Sequence, residues 1–447
     1  MNIKKLSAVF VAASIIFSLS SCAKSNTKLS ILDSTGKNIA EFNSLSKFEK
    51  EEKRAYVKIV VDEATKIIAE QQGLSEKTAK KHLFKNDYII HTAYDSAVDL
   101  ALNEICDDLD KDVNIGSAIT DLSGNLVAAY STDSKDSLNF STNATDPCSA
   151  FKPLSVYAQA IDNGVINWSS RYEDSPYKQI EEDGVFRDWP KNASGVYTKK
   201  YAYPYQAIKE SINTVAVKCL KDVGVNQSIN FLETKLGISL TDEKNRASIY
   251  GEDEVIGNLA LGSLSAGVSP IDMAGYYQIF ANGGSYTAPK SVLKITDASG
   301  AVIYTRKTVS IQVIKTTTSE LMNRMLKEVV SPGGTAEKVN CGDIEVAGKT
   351  GTDESGENNW FVGVTPKYSC SVWHSLNPSN IAPEIFSAIV NNVYQANPSA
   401  VKNFTYKSGL STVAYCTETG KMAKSGCTLI RLGYFARNNV PSLCDRH

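Results

Sequence analysis

The chain has 447 residues, 42% hydrophobic and 21% charged, with a formal net charge of −2. That length allows more than one domain and the composition allows a real core, while nothing in the near-neutral charge suggests a nucleic-acid-binding or polybasic membrane surface. Four histidines that do not cluster in sequence, and no Cys-x-x-Cys pair, argue against a metal site; scarce histidine also disfavours a Ser-His-Asp triad.

At the start, Lys4 and Lys5 precede an apolar stretch from Leu6 to Leu19, and Ser20-Ser21-Cys22 follows. A charged start, a short apolar run and small residues before a cysteine describe an export signal. "LSSC" resembles a bacterial lipobox, which makes Cys22 the lipidated residue; an uncleaved signal anchor is the alternative. Either reading puts the remaining chain on the extracytoplasmic face of the membrane, and the two acyl chains on Cys22 suffice for stable attachment. The other eight cysteines, Cys106, Cys148, Cys219, Cys341, Cys370, Cys416, Cys427 and Cys444, are then permitted to form disulfides.

Residues 23–50 read as a polar spacer. Val57, Val60, Val61, Ala64, Ile67 and Ile68 recur at helical spacing and predict a helix over 51–72. "YIIHTAYD" reads as a strand, "SAVDLALNEICDDL" as a helix, and residues 113–131 as a hairpin around Leu122-Ser123-Gly124-Asn125. From residue 146 onward helices alternate with polar connections. Strands return from Asp343 to Ser375, with turns at Asp353–Asn359 and Thr365-Pro366, and "APEIFSAIVNNVYQA" is a closing helix. Residues 400–447 form a cysteine-containing tail with little periodicity. Strands at both ends of a helical middle predict an α+β fold, an antiparallel sheet covered by helices.

Three stretches carry chemistry. In "DPCSAFKPLSVYAQAIDNG", Pro153 is tolerated only in a first helical turn, so a helix begins close to Ser149. Ser149 then sits at the positive end of the helix, with Lys152 a turn later on the same face, within reach of its hydroxyl. A serine needs a base to attack a carbonyl near neutral pH, and a lysine serves if burial lowers its pKa. The same Ser-x-x-Lys spacing recurs at Ser34/Lys37, Ser175/Lys178 and elsewhere, without the loop entry and proline. In "AIKESINTVAVKCL", Ser211 offers a hydroxyl that relays a proton and Asn213 an amide that holds a carbonyl; a capping serine with an exposed asparagine is the plainer alternative. In "VAGKTGT", Lys349 follows an apolar strand, Thr350 and Thr352 offer hydroxyls, and Gly351 lets another chain approach closely; a structural glycine turn is the alternative there.

Taken in order, Ser-x-x-Lys, Ser-x-Asn and Lys-Thr-Gly resemble the signature of penicillin-binding proteins and serine β-lactamases. "NLALGSLSAGVSPIDMAGYYQIFANGGSYTAP" and "VAGKTGTDESGENNWFVGVTP" are similar to the transpeptidase domain of class A penicillin-binding proteins, and "CTETGKMAKSGC…CDRH" to the C-terminal extension of some members. The resemblance implies a peptidoglycan D,D-transpeptidase without metal or organic cofactor. Ser149 would attack the penultimate D-Ala carbonyl of a stem pentapeptide, with Lys152 accepting its proton. Ser211 and Lys349 would relay a proton to the leaving amine, and Asn213 would hold the donor amide. Thr350, Gly351 and Thr352 would line the site of the terminal carboxylate, and the backbone N–H groups of Ser149 and Thr352 would form an oxyanion hole. An acceptor amine from a second stem peptide would resolve the acyl-enzyme, and β-lactams would acylate the same serine. D,D-carboxypeptidase activity, or a non-catalytic β-lactam-sensing or scaffold lipoprotein, are the alternatives.

The expected organisation is a signal peptide over 1–21, an N-terminal spacer and linker over 22–91, the transpeptidase domain over 92–399 and the extension over 400–447. No segment here matches the glycosyltransferase domain of class A relatives, so support of strand polymerisation would require a separate glycosyltransferase. Three positions stand apart. Cys148 replaces the usual glycine, read as a small buried side chain against a reactive thiol. Asp353 brings a carboxylate to the cleft rim, where it would repel the donor carboxylate. Glu254 superficially resembles a residue that activates a deacylating water.

Overall fold

The computed structural model describes residues 28–109, 113–133, 138–375 and 379–447; Cys22 and the expected export signal lie outside them. Two five-stranded sheets organise the chain. The central one is antiparallel throughout, in the spatial order Ala347–Thr352, Asn359–Val364, Tyr368–His374, Ile115–Asp121, Leu126–Ser131. Its Asn359–Val364 and Tyr368–His374 strands are buried at every residue, because both faces are covered. Helices Ser96–Asp107 and Ala382–Ala396 pack against each other and against the sheet. Helix Pro270–Tyr277 takes the opposite face, where the Ser371 hydroxyl donates to the Pro270 carbonyl. The fold is the expected α+β arrangement, an antiparallel sheet with helices on both sides.

Residues 28–92 are not a spacer. Leu29–Leu32 and Asn38–Phe42 form an antiparallel hairpin, and Ile89–Thr92 lies parallel to the first of them. Val292–Thr296 and Val302–Thr305, from far along the chain, complete this second sheet. Helix Ala55–Gln72 buries Val57, Val60, Val61, Ala64 and Ile68 in one core with Leu29, Ile31, Ile90, Val292 and Ile295. The spacer expectation failed because a half-buried strand alternates apolar and polar residues, so its average polarity hides one apolar face. The predicted helix starts at Ala55 rather than Glu51, because Glu52 and Arg54 pair side chain to side chain in the connection after helix Leu45–Glu51.

The tail also has regular structure. Ser411–Cys416 pairs antiparallel with Ile430–Phe435, and this hairpin docks on the helical part of the domain. The Trp168 and Tyr434 rings meet edge to face at 5.1 Å. Tyr203 Oη donates to the Thr417 carbonyl at 2.7 Å, and the Arg324 guanidinium lies 4.1 Å over the Tyr434 ring.

Candidate active site

Ser149 is placed by a strained turn. Cys148 adopts φ +52°, a left-handed conformation usual only for glycine and a few polar residues. Its N–H donates to the Gly262 carbonyl at 3.2 Å, and a Cβ at Gly262 would lie 2.0 Å from the Cys148 oxygen. The chain then runs through a 3-10 turn, Cys148–Phe151, and on through Pro153–Tyr157 into helix Ala158–Asp162, with Pro153 in the first turn as its geometry requires. Among the described residues the Ser149 hydroxyl makes no hydrogen bond.

Lys152 is fully buried, and its Nζ donates to the Ser211 carbonyl at 2.9 Å, Ser211 Oγ at 3.3 Å and Asn213 Oδ1 at 2.5 Å. Lys349, also fully buried, donates to Ser211 Oγ at 3.0 Å and to the Thr350 carbonyl at 3.1 Å. The Ser211 hydroxyl therefore bridges two lysine nitrogens. Burial pushes Lys349 down to about 7. Burial, with the charge of Lys349 beside it, holds Lys152 well below the usual lysine range. Lys152 is thus readily neutral near physiological pH, while Lys349, at about 7, keeps its proton in a large share of molecules.

The expected direct bond between Lys152 and Ser149 is not formed. A buried lysine nitrogen needs several acceptors for its N–H groups, and a carbonyl plus an amide oxygen satisfy it better than the half-buried Ser149 hydroxyl does. Nearby, Ser211 turns the chain at φ +58° between helices Pro204–Lys209 and Asn213–Val223, which aims both Ser211 and Asn213 at the lysines.

Gly351 sets the third wall. A Cβ there would lie 2.5 Å from the Pro147 oxygen and 3.1 Å from the Ala150 nitrogen, so strand Ala347–Thr352 runs flush against the turn that carries Ser149. Thr350 Oγ1 shares a hydrogen bond with Thr335 Oγ1 at 2.8 Å. Thr352 is exposed and accepts from Asn380 Nδ2 at 2.9 Å, while the same amide holds the Gly351 and Trp360 carbonyls.

Several supporting residues escaped the sequence reading. Asn192 Oδ1 accepts from the backbone N–H groups of Asn213 and Thr214 and so caps that helix from another segment. Asp174 holds Asn192, Thr214 and Thr198 in turn. Thr335 and Asn380 act the same way on Thr350 and Thr352. Caps supplied across space leave no spacing signal in the sequence.

The three anomalous positions also resolve. Cys148 is buried with its thiol against the Asp146 carbonyl, and burial pushes its pKa up, so it packs as a small inert side chain. Asp353 accepts from the Glu357 N–H and the Asn358 amide, and its carboxylate is taken up in closing the 353–358 turn. Glu254 pairs with Arg246 on an exposed helix face at 2.8 Å, apart from the lysine cluster's hydrogen bonds.

A family model described as the penicillin binding protein transpeptidase domain matches residues 118–391. Penicillin-binding protein 1A of Clostridium botulinum is 36% identical over 245 residues, which are 54% of this chain and 28% of that protein. The chain thus spans well under half of that relative's length. The fold is similar to the D,D-transpeptidase domain of a peptidoglycan glycosyltransferase from Eggerthella lenta, with TM-score 0.63 and 16% identity over 84% of this chain and 100% of that one. It is also similar to PonA1 from Mycobacterium tuberculosis in complex with penicillin V, with TM-score 0.63 and 20% identity over 79% of this chain and 96% of that one.

Proposed function

Because the chain belongs to the penicillin-binding protein transpeptidase family, we propose that it is a peptidoglycan D,D-transpeptidase working through an acyl-enzyme on Ser149. The observation that carries the assignment is the Ser211 hydroxyl held between the Lys152 and Lys349 amines at 3.3 and 3.0 Å. Neutral Lys152 takes the proton of the Ser149 hydroxyl as that oxygen attacks the penultimate D-Ala carbonyl of a stem peptide. The proton reaches the leaving D-Ala amine through Ser211, with Lys349 supplying the positive charge behind it. Backbone N–H groups of Ser149 and Thr352, on either side of the Gly351 seam, stabilise the oxyanion. Thr350 and Thr352 receive the donor carboxylate, and Asn213 orients the donor amide. A second stem peptide's amine then attacks the ester, forming the cross-link and freeing Ser149. Cys22 tethers the domain by lipid to the outer face of the cytoplasmic membrane, where a separate glycosyltransferase supplies the strands.

Incubation of the folded protein with a fluorescent penicillin should give stable label on Ser149 and none in Ser149→Ala. A Ser149→Ala protein that still labels at that turn, or a folded wild type that never labels, would refute the acyl-serine reading. Acylation should fall as pH drops, because protonated Lys152 cannot accept the hydroxyl proton. With stem pentapeptide and an acceptor amine, the expected product is a cross-linked peptide; D-Ala release alone would convert the assignment to carboxypeptidase. The exposed ion pair of Glu254 favours slow turnover of cephalosporins over β-lactamase behaviour.

A further inference from the structure

The C-terminal extension lacks an apolar core. Its buried Tyr415 and Phe435 join the main core of the chain, and the separate cluster within it is Cys416, Cys427 and Cys444, with Ala423 alongside, while Leu429, Leu432 and Leu443 point outward. Folding gathers residues that the sequence scatters. One sulfur from each of these cysteines and one ring nitrogen of His447 all lie within 4.8 Å of one another. No disulfide joins the three cysteines.

We propose that Cys416, Cys427, Cys444 and His447 form a structural zinc site that clamps the extension into its docked shape. This inference does not depend on the acyl-serine reading. A tetrahedral zinc with sulfurs at about 2.3 Å and nitrogen at about 2.0 Å sets its ligand atoms about 3.5–3.8 Å apart. The observed grouping needs to close by no more than about 1.3 Å to meet that geometry. Three thiols and an imidazole match the Cys3His donor set of closed structural sites. A disulfide would use two of the thiols and leave a thiol and an imidazole without a role.

The surroundings fit a metal. His447 Nε2 lies 2.9 Å from Glu418 Oε2, which leaves Nδ1 to ligate while the carboxylate fixes the ring. The Thr419 hydroxyl donates to Cys444 Sγ at 3.4 Å, and the Lys424 N–H to Cys427 Sγ at 3.5 Å. Binding releases thiol protons to solvent, so affinity weakens as pH is lowered. The expectation of no metal site rested on the lack of a Cys-x-x-Cys pair and on histidines that do not cluster in sequence; the informative pair is Cys-x-x-His at Cys444 and His447.

Titration of the full, reduced, metal-free chain with Co2+ tests this. The expected result is one ion per chain, with the visible bands and thiolate-to-cobalt charge transfer of a tetrahedral site, displaced by Zn2+. Cys427→Ser and Cys444→Ser should each abolish that spectrum, and Cys341→Ser should leave it intact. Glu418→Gln should weaken binding by roughly 10- to 100-fold while circular dichroism stays unchanged. Absence of one-to-one binding by the folded reduced chain, or a six-coordinate spectrum, would overturn the proposal. So would peptide mapping, without reductant, that finds a disulfide between any two of the three cysteines.

Discussion

At the residue scale, Lys349 shows how far function outweighs stability here. Its amine is fully buried and its pKa lowered to about 7 by desolvation. A lysine whose folded pKa lies below its unfolded value binds more protons when unfolded, so its cost is full below about 7 and eases as pH rises toward 10.5. Lys349→Met should therefore raise the melting temperature, by more at acid than at alkaline pH, while abolishing penicillin acylation. A variant less stable than wild type at acid pH would mean that the amine's hydrogen bonds outweigh its desolvation. Cys148 is a second case. Its left-handed backbone costs about 1–2 kcal/mol, which offsets most of what a small buried thiol contributes. Cys148→Gly should leave stability within about 1 kcal/mol and retain acylation, as judged by urea unfolding and penicillin labelling. Loss of label in that variant would give the thiol a role in the reaction. The sequence alone ranked Ser149 only after its motif was set in order with Ser211-Ile212-Asn213 and Lys349-Thr350-Gly351. Local spacing was satisfied equally by Ser175/Lys178, which does not join the cluster.

Among the elements, those legible in the sequence have long runs with one period. The hairpin Ile115–Ser131, the helix Ala382–Ala396 and the strands after Lys349 follow from apolar alternation or helical spacing with turn residues between. How they meet was not legible. Strand Ala347–Thr352 is the edge of the central sheet, and at Gly351 it runs flush against the Ser149 turn. Gly351→Ala would set a methyl 2.5 Å from a backbone oxygen that cannot swing aside. The strand must then shift by roughly 0.5–0.9 Å away from Ser149 to restore an ordinary contact. Since the proposed oxyanion donors, the N–H groups of Ser149 and Thr352, flank that seam, acylation should drop by at least about tenfold, the equivalent of about 1.4 kcal/mol. The melting temperature should fall only modestly. Labelling rates and thermal unfolding measured on the same preparation separate the two effects, and equal losses in both would mean general unfolding.

The whole molecule is held together by long-range pairing that no local window contains. The sheet built on residues 28–92 takes two of its five strands from 292–305, and its helix reaches the central sheet through Tyr56 Oη, which donates to the Leu126 carbonyl at 2.9 Å. Read as a spacer, this segment would be dispensable. Removing it instead exposes Val292 and Ile295, now fully buried, and leaves Val292–Thr296 an open edge with one partner strand instead of two. Each buried Val or Ile is worth about 1.5–3 kcal/mol, so loss of these two contacts alone removes a large part of a typical stability of about 5–15 kcal/mol. The bare edge also invites pairing with other chains. A chain starting at residue 93 should therefore be recovered mainly as aggregate, or should melt well below the chain starting at residue 28, with its penicillin labelling reduced in proportion to the folded fraction. Equal melting temperatures for the two chains would restore the spacer interpretation, and would mean that the second sheet rides on the transpeptidase domain without supporting it.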